Sequence, residues 1–556
     1  MTELIKLHRH SHSRKRRALY LLLSILFPGR ILGRIPRLIC PCNPSNSIDG
    51  LSGSSATHQP DKSKAPPRVS SCTSYVPCLQ QLLTVWPVWV TIDILPDDVL
   101  LLIFFFDVLE DVDPKCRLPW HRLVHVCRRW RSIVFASPNL LHLRLICYPW
   151  TRVELTSSIW PSLPIIIRNN VDWPMPEDYD FDAAIVHPHR VCEVDLFLTS
   201  SQLQRLASAM QEQFPTLIHL KFGIAYCDSS PAWTLPLLDG FLGGSAPRLQ
   251  SLELDSIPFP ALPKLLLSAT DLVRLTLQDI PHSGYFSPEA IVTGLSVLTN
   301  LRYLTIRFES PLSRPDRENR RPPPVSRSLL PALTHFEFQG DSRYLEDLVV
   351  RIDSPLLGSI WITFFHQLIF DIPRLAQFMM RTTIFGIVNE ACMDFNYHGV
   401  QVGFSPRAES FQETIWLRIS CTELDWQVSS LAQVCAFFPS IYTVEHLYIS
   451  GPQYLPSQWL NDVENMQWLE IFHPLPSVKN LYVCKEFAQS IVLALQELVV
   501  ERVTEVFPAL ETLFLEELQP SGPVQEAIGQ FVAARQLLGH PVGVSDWNRS
   551  QGVLLR

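Results

Sequence analysis

Between residues 90 and 140 the apolar positions follow a helical pattern. Residues 99–106 are apolar on every side, which a helix at a protein surface cannot be, so this segment must be enclosed by other helices or by a partner protein. Pro96 suits the first turn of a helix, and Asp97 and Asp98 place carboxylates at the positive end of the helix dipole. The pattern therefore predicts a helix that starts near Pro96.

A second apolar stripe follows at three- and four-residue steps. Three arginines lie beside the stripe, and Ser137-Pro138 ends the helix that it predicts. The stripe is spaced as on one face of a single helix, at Trp120, Leu123, Val126, Cys127, Trp130, Ile133 and Val134.

Beyond residue 138 a short unit, Leu-x-x-Leu-x-Leu, recurs, and its last two apolar residues alternate as on a strand with one buried face. Such triplets arise often by chance in a chain this apolar, and a stricter signal is a triplet with a proline two positions ahead of its first apolar residue. Chance would give about one or two such segments. Seven segments qualify, and they start at Pro138, Pro215, Pro247, Pro331, Pro355, Pro476 and Pro508.

Looser copies fill the gaps between these units. They begin at Val191, Leu272, Leu301 and Val444, with a weaker one near Thr414. Segments with helical spacing, such as residues 201–214 and 288–298, lie between the strands, and residues 309–328 are expected to form an exposed loop. Each unit therefore predicts a strand and a returning helix. Because one unit cannot bury its apolar face alone, stacked units should share one core and form a curved sheet.

In each strand the residue between the two core positions should point to the open face of the sheet. The first half of this column is polar or charged, whereas four of its last five residues are aromatic, which is typical of protein-binding hot spots. Trp361, Tyr448, Tyr482 and Phe514 are therefore predicted to bind a target protein, unless a C-terminal helix around residues 524–538 covers them. The column is Arg144, Asp195, Lys221, Glu253, Thr276, Thr305, Glu337, Trp361, Arg418, Tyr448, Tyr482 and Phe514.

Composition narrows the function classes. The 556 residues are 47% apolar and 18% charged, which excludes general disorder, and the net charge of -8 gives no reason to expect nucleic acid. The 46 prolines outnumber the 21 glycines; at least seven of them mark the start of a repeat, and others lie in the N-terminal linker and in the insertion near residue 322. The 13 cysteines have neither zinc-site spacing nor a disulfide framework, which favours a reducing compartment.

The first 84 residues share neither composition nor pattern with the rest. Residues 8–17 are basic and precede an apolar run at residues 18–27, the layout of a signal peptide, and residues 41–77 are typical of a disordered Ser/Pro-rich linker. No apolar run approaches the roughly 18 residues that a transmembrane helix needs. We expect a cytoplasmic or nuclear protein without a membrane partner; the alternative is a secreted or membrane-associated leucine-rich-repeat binding protein that uses this segment as a signal peptide.

The helical pattern resembles an F-box, in particular the F-box-like form of fungal proteins, over about residues 92–139. Leu95-Pro96-x-Asp98-Val99-Leu100 carries the first half of the resemblance, and the longer, more acidic residues 107–119 depart from it. The resemblance implies a three-helix domain that binds the small adaptor subunit of a cullin-RING (SCF-type) ubiquitin ligase. The implied adaptor-binding residues are Leu95, Pro96, Val99, Leu100, Ile103, Val126, Cys127 and Trp130.

The repeats resemble the irregular leucine-rich repeats associated with F-box proteins, although they lack a consistent Asn after each strand. The expected fold class is α + α/β: an N-terminal segment and linker at 1–84, a three-helix F-box-like domain at 85–139, an irregular leucine-rich-repeat solenoid at 140–518, and a C-terminal tail or cap at 519–556. The expected function is substrate recognition for an SCF-type ligase, with an unknown target protein bound by the repeats.

Catalytic signatures are missing from the sequence. It holds no Gly-rich phosphate loop, no H-E-x-x-H and no G-x-S-x-G motif, and His187 and His189 lack further ligands at metal-site spacing. We therefore expect no enzyme activity, no catalytic residue, no cofactor and no metal.

Overall fold

The structure is a computed structural model that describes residues 94–110, 119–148, 163–169, 185–224, 236–237, 239–315, 327–367, 369–382, 388–405, 414–452, 464–498, 502, 504–517 and 521–548. The chain divides into two compact units, and among the described residues the boundary falls between Ser137 and Pro138. Residues 1–93, which include the basic and apolar N-terminal stretches, lie outside the described residues.

The first unit contains three helices, α1 (Asp97–Glu110), α2 (Pro119–Val124) and α3 (Arg128–Ala136). The predicted start of the first helix is confirmed, since α1 begins directly after Pro96 and the amide of Leu100 donates to the Pro96 carbonyl. The apolar run is enclosed by the module itself on one side: Phe104 is fully buried, and its ring lies 4.6 Å from that of Trp130 on α3.

The prediction of one continuous helix from Trp120 to Val134 is wrong, because the chain turns between α2 and α3. Cys127 is the N-cap of α3, and its sulfur accepts a hydrogen bond from the amide of Trp130 at 3.5 Å. An N-cap residue has non-helical backbone angles, so the apolar residues before and after Cys127 do not lie on one face of a single helix. Val126, just before the cap, is 58% exposed instead of facing the core.

The second unit is built on one long sheet. In the described residues its chain forms eighteen strands, of which β8 and β10 pair separately. The strands are β1 (Leu145–Cys147), β2 (Ile165–Arg168), β3 (Val191–Leu198), β4 (His219–Ile224), β5 (Ser251–Asp255), β6 (Arg274–Ile280), β7 (Tyr303–Phe308), β8 (Ser328–Leu329), β9 (His335–Gly340), β10 (Ile352–Asp353), β11 (Ser359–Phe364), β12 (Glu390–Asn396), β13 (Gly399–Ser405), β14 (Thr414–Ile419), β15 (His446–Ser450), β16 (Asn480–Val483), β17 (Thr512–Glu516) and β18 (Gly543–Trp547).

The order of the sixteen main strands is β1-β2-β3-β4-β5-β6-β7-β9-β11-β14-β13-β12-β15-β16-β17-β18. Every neighbouring pair is parallel except the two that involve β13, which runs against both β12 and β14. After β11 the chain therefore leaves two strand positions in the sheet empty and forms β12. It returns through β13 and then β14, which occupy the two positions between β12 and β11. This insertion interrupts an otherwise sequential array of strand-plus-connection repeats, and the predicted solenoid is confirmed on either side of it.

Helices of the second unit cover one face of the sheet. Buried helical side chains such as Leu345, Val428 and Ile491 share a single apolar core with strand side chains such as Phe338 and Leu447. The helices are α4 (Ser200–Ala209), α5 (Leu262–Leu266), α6 (Pro288–Leu295), α7 (Ser342–Val349), α8 (Pro373–Met380), α9 (Leu424–Cys435), α10 (Asn465–Phe472), α11 (Lys485–Gln496) and α12 (Pro523–Leu537).

The repeat prolines sit in a common turn. A hydrogen bond from the amide of the fourth residue to the carbonyl of the first closes this turn, as from Leu249 to Ala246 (3.2 Å) and from Leu510 to Phe507 (3.0 Å). Proline is the second residue of the turn, a position that its fixed φ suits. The same turn holds Pro215, Pro331, Pro355 and Pro476. Pro138 is the exception: Leu140 is 46% exposed, and the chain buries Leu141 and Leu143 instead.

Candidate binding surface on the outward face of the sheet

The face of the sheet opposite the helices is termed the outward face. Strand pairing aligns the predicted column directly from Asp195 on β3 to Trp361 on β11, through each intervening strand. It also aligns Tyr448, Tyr482 and Phe514. The positions assigned from the repeat pattern are therefore correct over these two stretches, although their role in binding stays a prediction.

Two members of the predicted column are misplaced. Trp361 pairs with Trp416, whereas Arg418 lies two residues farther along β14, opposite Thr363. Arg144 precedes β1 and lies outside the strand, although its guanidinium reaches Glu193 at 3.8 Å. The row then continues through Gly403 and Cys392 of the inserted hairpin before it reaches Tyr448.

The first half of the outward face pairs its own charges. Glu193 accepts from Arg168, Lys221 lies 3.4 Å from Glu253, and Arg307 lies 3.9 Å from Glu337. Burial raises the pKa of the Asp195 carboxyl, and the neighbouring charge of Lys221 opposes that shift. Much of this half is therefore already satisfied within the chain.

A stack of three side chains also lies on this half, in a row that the sequence-based column did not include. The guanidinium of Arg274 lies 4.4 Å from the ring centroid of Tyr303, whose other neighbour, the ring of His335, is stacked at 4.6 Å. Partial burial, together with the charge of Arg274, lowers the pKa of His335. Arg274, Tyr303 and His335 each lie two residues before the predicted column on adjacent strands. Aligning the repeats by sequence would therefore have placed these three side chains side by side.

The second half of the outward face carries an aromatic ladder, formed by Tyr448, Tyr482 and Phe514. The ring centroids of Tyr448 and Tyr482 are 4.3 Å apart with 11° between planes, and those of Tyr482 and Phe514 are 4.4 Å apart with 8° between planes. Parallel, in-register strands about 4.8 Å apart impose this stacking on identical positions. Burial raises the pKa of Tyr448 and of Tyr482, so both phenols stay neutral.

A tryptophan pair continues the row on the far side of the hairpin. The rings of Trp361 and Trp416 are 5.8 Å apart, and Trp361 is 50% exposed. The ring of Trp416 lies over Gly403, where an added Cβ would be only 2.5 Å from the ring. Glycine at 403 therefore makes room for Trp416 to lie along the sheet toward the ladder.

The C-terminal tail covers the ladder only in part. Helix α12 packs on the helical side, since Ile528 and Phe531 join the core that also holds Leu513, and so it does not shield the outward face. The tail does add strand β18, whose Trp547 ring lies 5.6 Å from that of Tyr482. Tyr448, Tyr482 and Phe514 all keep intermediate exposure.

In the helical module, the predicted adaptor-binding residues differ in exposure. Pro96 and Val126 are exposed, and Leu95, Val99, Ile103, Cys127 and Trp130 are partly exposed. For Leu100 the expected surface position is corrected, because this side chain is 0% exposed and packs inside the module. Arg129 binds the start of α1, with its guanidinium 2.6 Å from Asp97 and donating to the Leu95 carbonyl.

The described residues hold no group of three or more His, Cys, Asp or Glu that could bind a metal ion. In the same part of the chain, no helix has the length and apolar character needed to cross a membrane. The rings of His187 and His189 lie 5.8 Å apart.

No family model matches the chain, and no curated protein matches it. Among solved structures the chain is similar to the leucine-rich repeat-containing protein LegL7 from Legionella pneumophila, at 13% identity and a TM-score of 0.23, with 70% of this chain and 97% of that chain covered. The assignment of a repeat solenoid follows from this chain's own strand pairing and turns.

Proposed function

We propose that this protein is a non-catalytic scaffold that binds a partner protein through the aromatic part of its outward face. One observation carries the proposal: two groups of large aromatic side chains in one row of the sheet, Trp361 and Trp416 before the inserted hairpin and Tyr448, Tyr482 and Phe514 after it, stay partly exposed. Aromatic groups that are already held in place lose little conformational freedom on binding, which favours affinity.

The paired charges of the other half suit a different role. Ion pairs already satisfied within the chain gain little from a partner, and exposed pairs contribute only about 0–1 kcal/mol. This half would therefore form a polar rim, while the aromatic row supplies most of the binding energy, as in interfaces with a desolvated centre.

Site-directed photo-crosslinking tests this assignment. A photoreactive phenylalanine analogue placed at exposed Ser545, beside Phe514, should capture a partner that the same analogue at Ser251, at the polar end of the face, does not capture. Adding Tyr482→Ser should abolish the capture at 545. Equal capture from both positions, or capture that survives Tyr482→Ser, would contradict the proposal.

We further propose that the helical module binds the small adaptor subunit of a cullin-RING ubiquitin ligase, which would make the chain a substrate-recognition subunit in the cytoplasm or nucleus. The resemblance of the sequence to an F-box supports this, and so does the surface that Pro96, Val99 and Val126 retain. The mechanism would be proximity, since a bound target is held at high effective concentration near the ubiquitin donor.

Co-purification of the full chain with the adaptor tests this second proposal. Pro96→Ala combined with Val126→Asp should abolish association, because these residues belong to the proposed adaptor-binding surface. Both side chains are exposed, so they can be changed without opening the core. Ser132→Ala, an exposed change on α3, is the matched control and should leave association intact. Absence of association by the wild-type chain would contradict the proposal.

A further inference from the structure

Carboxylates outnumber cationic side chains around the aromatic ladder. On the strands from the hairpin to the C-terminal edge, excluding β14, the outward positions include three carboxylates and no Lys or Arg. These outward positions are Glu390, Cys392, Asp394 and Asn396 on β12; Gly399, Gln401, Gly403 and Ser405 on β13; His446, Tyr448 and Ser450 on β15; Asn480 and Tyr482 on β16; Thr512, Phe514 and Glu516 on β17; and Gly543, Ser545 and Trp547 on β18.

The carboxylates flank the ladder on both sides. Glu390 and Asp394 stand two residues before and after Cys392, the cross-strand neighbour of Tyr448, and Glu516 stands two residues after Phe514. A two-residue step along a strand is about 7 Å, which brings each carboxylate within reach of a group lying on the rings. Asp394 accepts from the Ser450 hydroxyl at 2.7 Å, and Glu516 accepts from the amide of Lys485, so neutral donors hold both side chains in place.

The nearby cations cancel this charge only in part: Lys485 also interacts with Glu516, and Arg418 of β14 lies opposite Gln401, one strand away from Asp394. Lys479 lies 2.8 Å from Glu445, and Lys485 lies 2.8 Å from Glu517, so each is engaged with a carboxylate of its own. This differs from the other end of the outward face, where Arg168, Lys221 and Arg307 pair with the outward carboxylates themselves.

We propose that the aromatic ladder and its flanking carboxylates take an arginine-bearing segment of the partner protein. The inference rests on the proposed function and specifies the chemistry of what binds. Guanidinium groups stack on aromatic rings and bind carboxylates with two parallel hydrogen bonds, so one arginine can use both kinds of group on this surface. An extended segment that crosses the strands along the row would meet the three rings in succession, with carboxylates two residues to either side at the two ends of the row.

A binding assay on the full chain tests the proposal. The probe is a fluorescent peptide of repeated Gly-Arg-Ser units, and the matched peptides carry Gln or Glu in place of Arg. The arginine peptide should bind at least about tenfold more tightly than the Gln peptide, and its affinity should fall as salt is raised. Equal affinity for the Arg and Gln peptides, or no binding of the Arg peptide, would overturn the inference.

Two sets of variants locate the binding. Glu390→Gln, Asp394→Asn and Glu516→Gln together should remove the preference for arginine, and Tyr482→Ser should remove binding; Glu253→Gln, at the other end of the face, is the control and should change neither. Arginine binding that persists without the three carboxylates would contradict the proposal.

The chain's own basic stretch at residues 8–17 is a competing occupant. Replacing Arg14, Lys15, Arg16 and Arg17 by Gln in the full chain should leave the affinity for the probe unchanged. An increase of about tenfold or more would assign the surface to the chain's own N-terminus and overturn the inference of a partner segment. Capture from position 545 of a partner that lacks any basic segment would preserve the proposed function and overturn only this inference.

Discussion

The ring of Phe514 lies parallel to that of Tyr482, with centroids 4.4 Å apart and planes within 8°, although a whole repeat of the chain separates the two residues. The alignment depends on strict register, since Tyr482 and Phe514 are direct cross-strand partners and a slip of one residue would turn one ring into the core. The aromatic surface is therefore a consequence of the repeat geometry.

Removing the middle ring of the ladder should weaken partner binding far more than it weakens the fold. Tyr482→Ala deletes two stacked contacts, each worth about 0.5–1.5 kcal/mol, and should lower the free energy of unfolding by about 1–3 kcal/mol while abolishing partner binding. Thr305→Ala on the polar half is the control. Denaturant titration and a binding assay measure the two effects, and equal loss of binding in both variants would contradict the account.

Adding a side chain at Gly403 should displace Trp416. The new Cβ of Gly403→Ala would approach the Trp416 ring to 2.5 Å, so the ring must move or the strands must separate. We expect a loss of stability of about 1–3 kcal/mol and altered tryptophan fluorescence.

Gly529→Ala, inside α12, is the matched control for that change. Nothing lies within 4 Å of its new Cβ, and alanine should stabilise this helix by up to about 1 kcal/mol. Unchanged fluorescence and stability in Gly403→Ala would show that Trp416 does not lie over this position.

Glu346 should make stability fall as pH rises toward neutrality. Glu346 is 5% exposed, and its carboxylate accepts from the amides of Leu375 (2.7 Å) and Arg374 (3.1 Å) in the first turn of α8. Burial raises its pKa from 4.5 to about 7, although the two amides oppose the shift. The folded chain therefore keeps a proton that the unfolded chain has lost, so stability is lost between about pH 4.5 and pH 7.

Glu346→Gln should remove this part of the pH dependence, leaving the variant more stable relative to wild type at pH 8 than at pH 5 by about 1–3 kcal/mol. Chemical denaturation at several pH values measures the difference. Glu212→Gln, an exposed change, is the control, and a parallel dependence in wild type and Glu346→Gln would refute the assignment.

The turn prolines should stabilise the repeats through the unfolded state. Pro247→Ala should cost about 0.4–1 kcal/mol, since it frees the second position of the turn closed by Leu249 and Ala246. Thr270 holds the same position in the turn closed by Leu272 and Ala269, and it is exposed. Thr270→Pro should therefore increase thermal stability by a similar amount, and a decrease would show that this turn has a different backbone conformation.

Local periodicity was sufficient to predict the repeats, their turns and most of the outward column, because each depends on contacts within one unit or between adjacent units. It was insufficient at Arg418, since Arg418 and Trp416 both point outward and only the pairing of β14 with β11 decides which of them lies beside Trp361. The hairpin of β12 and β13 carries no proline signal, and its place between β14 and β15 depends on long-range pairing.

The end of the array and the helical module show the same limit. Trp547 lies outside the Leu-x-Leu pattern, and its contact with Tyr482 exists because the tail adds one more strand in register. In the module, the regular spacing of apolar residues concealed the break at Cys127, where a sulfur cap ends one helix and starts the next.

The most direct test of the central claim is quantitative affinity purification with the full chain. Partners recovered by the wild type should be lost from a Trp361→Ser and Tyr482→Ser double variant. They should be retained by a Lys221→Ser and Thr305→Ala double variant whose thermal stability equals that of the aromatic variant. Retention of the same partners by the aromatic variant would contradict the claim that the aromatic row of the outward face binds the partner protein.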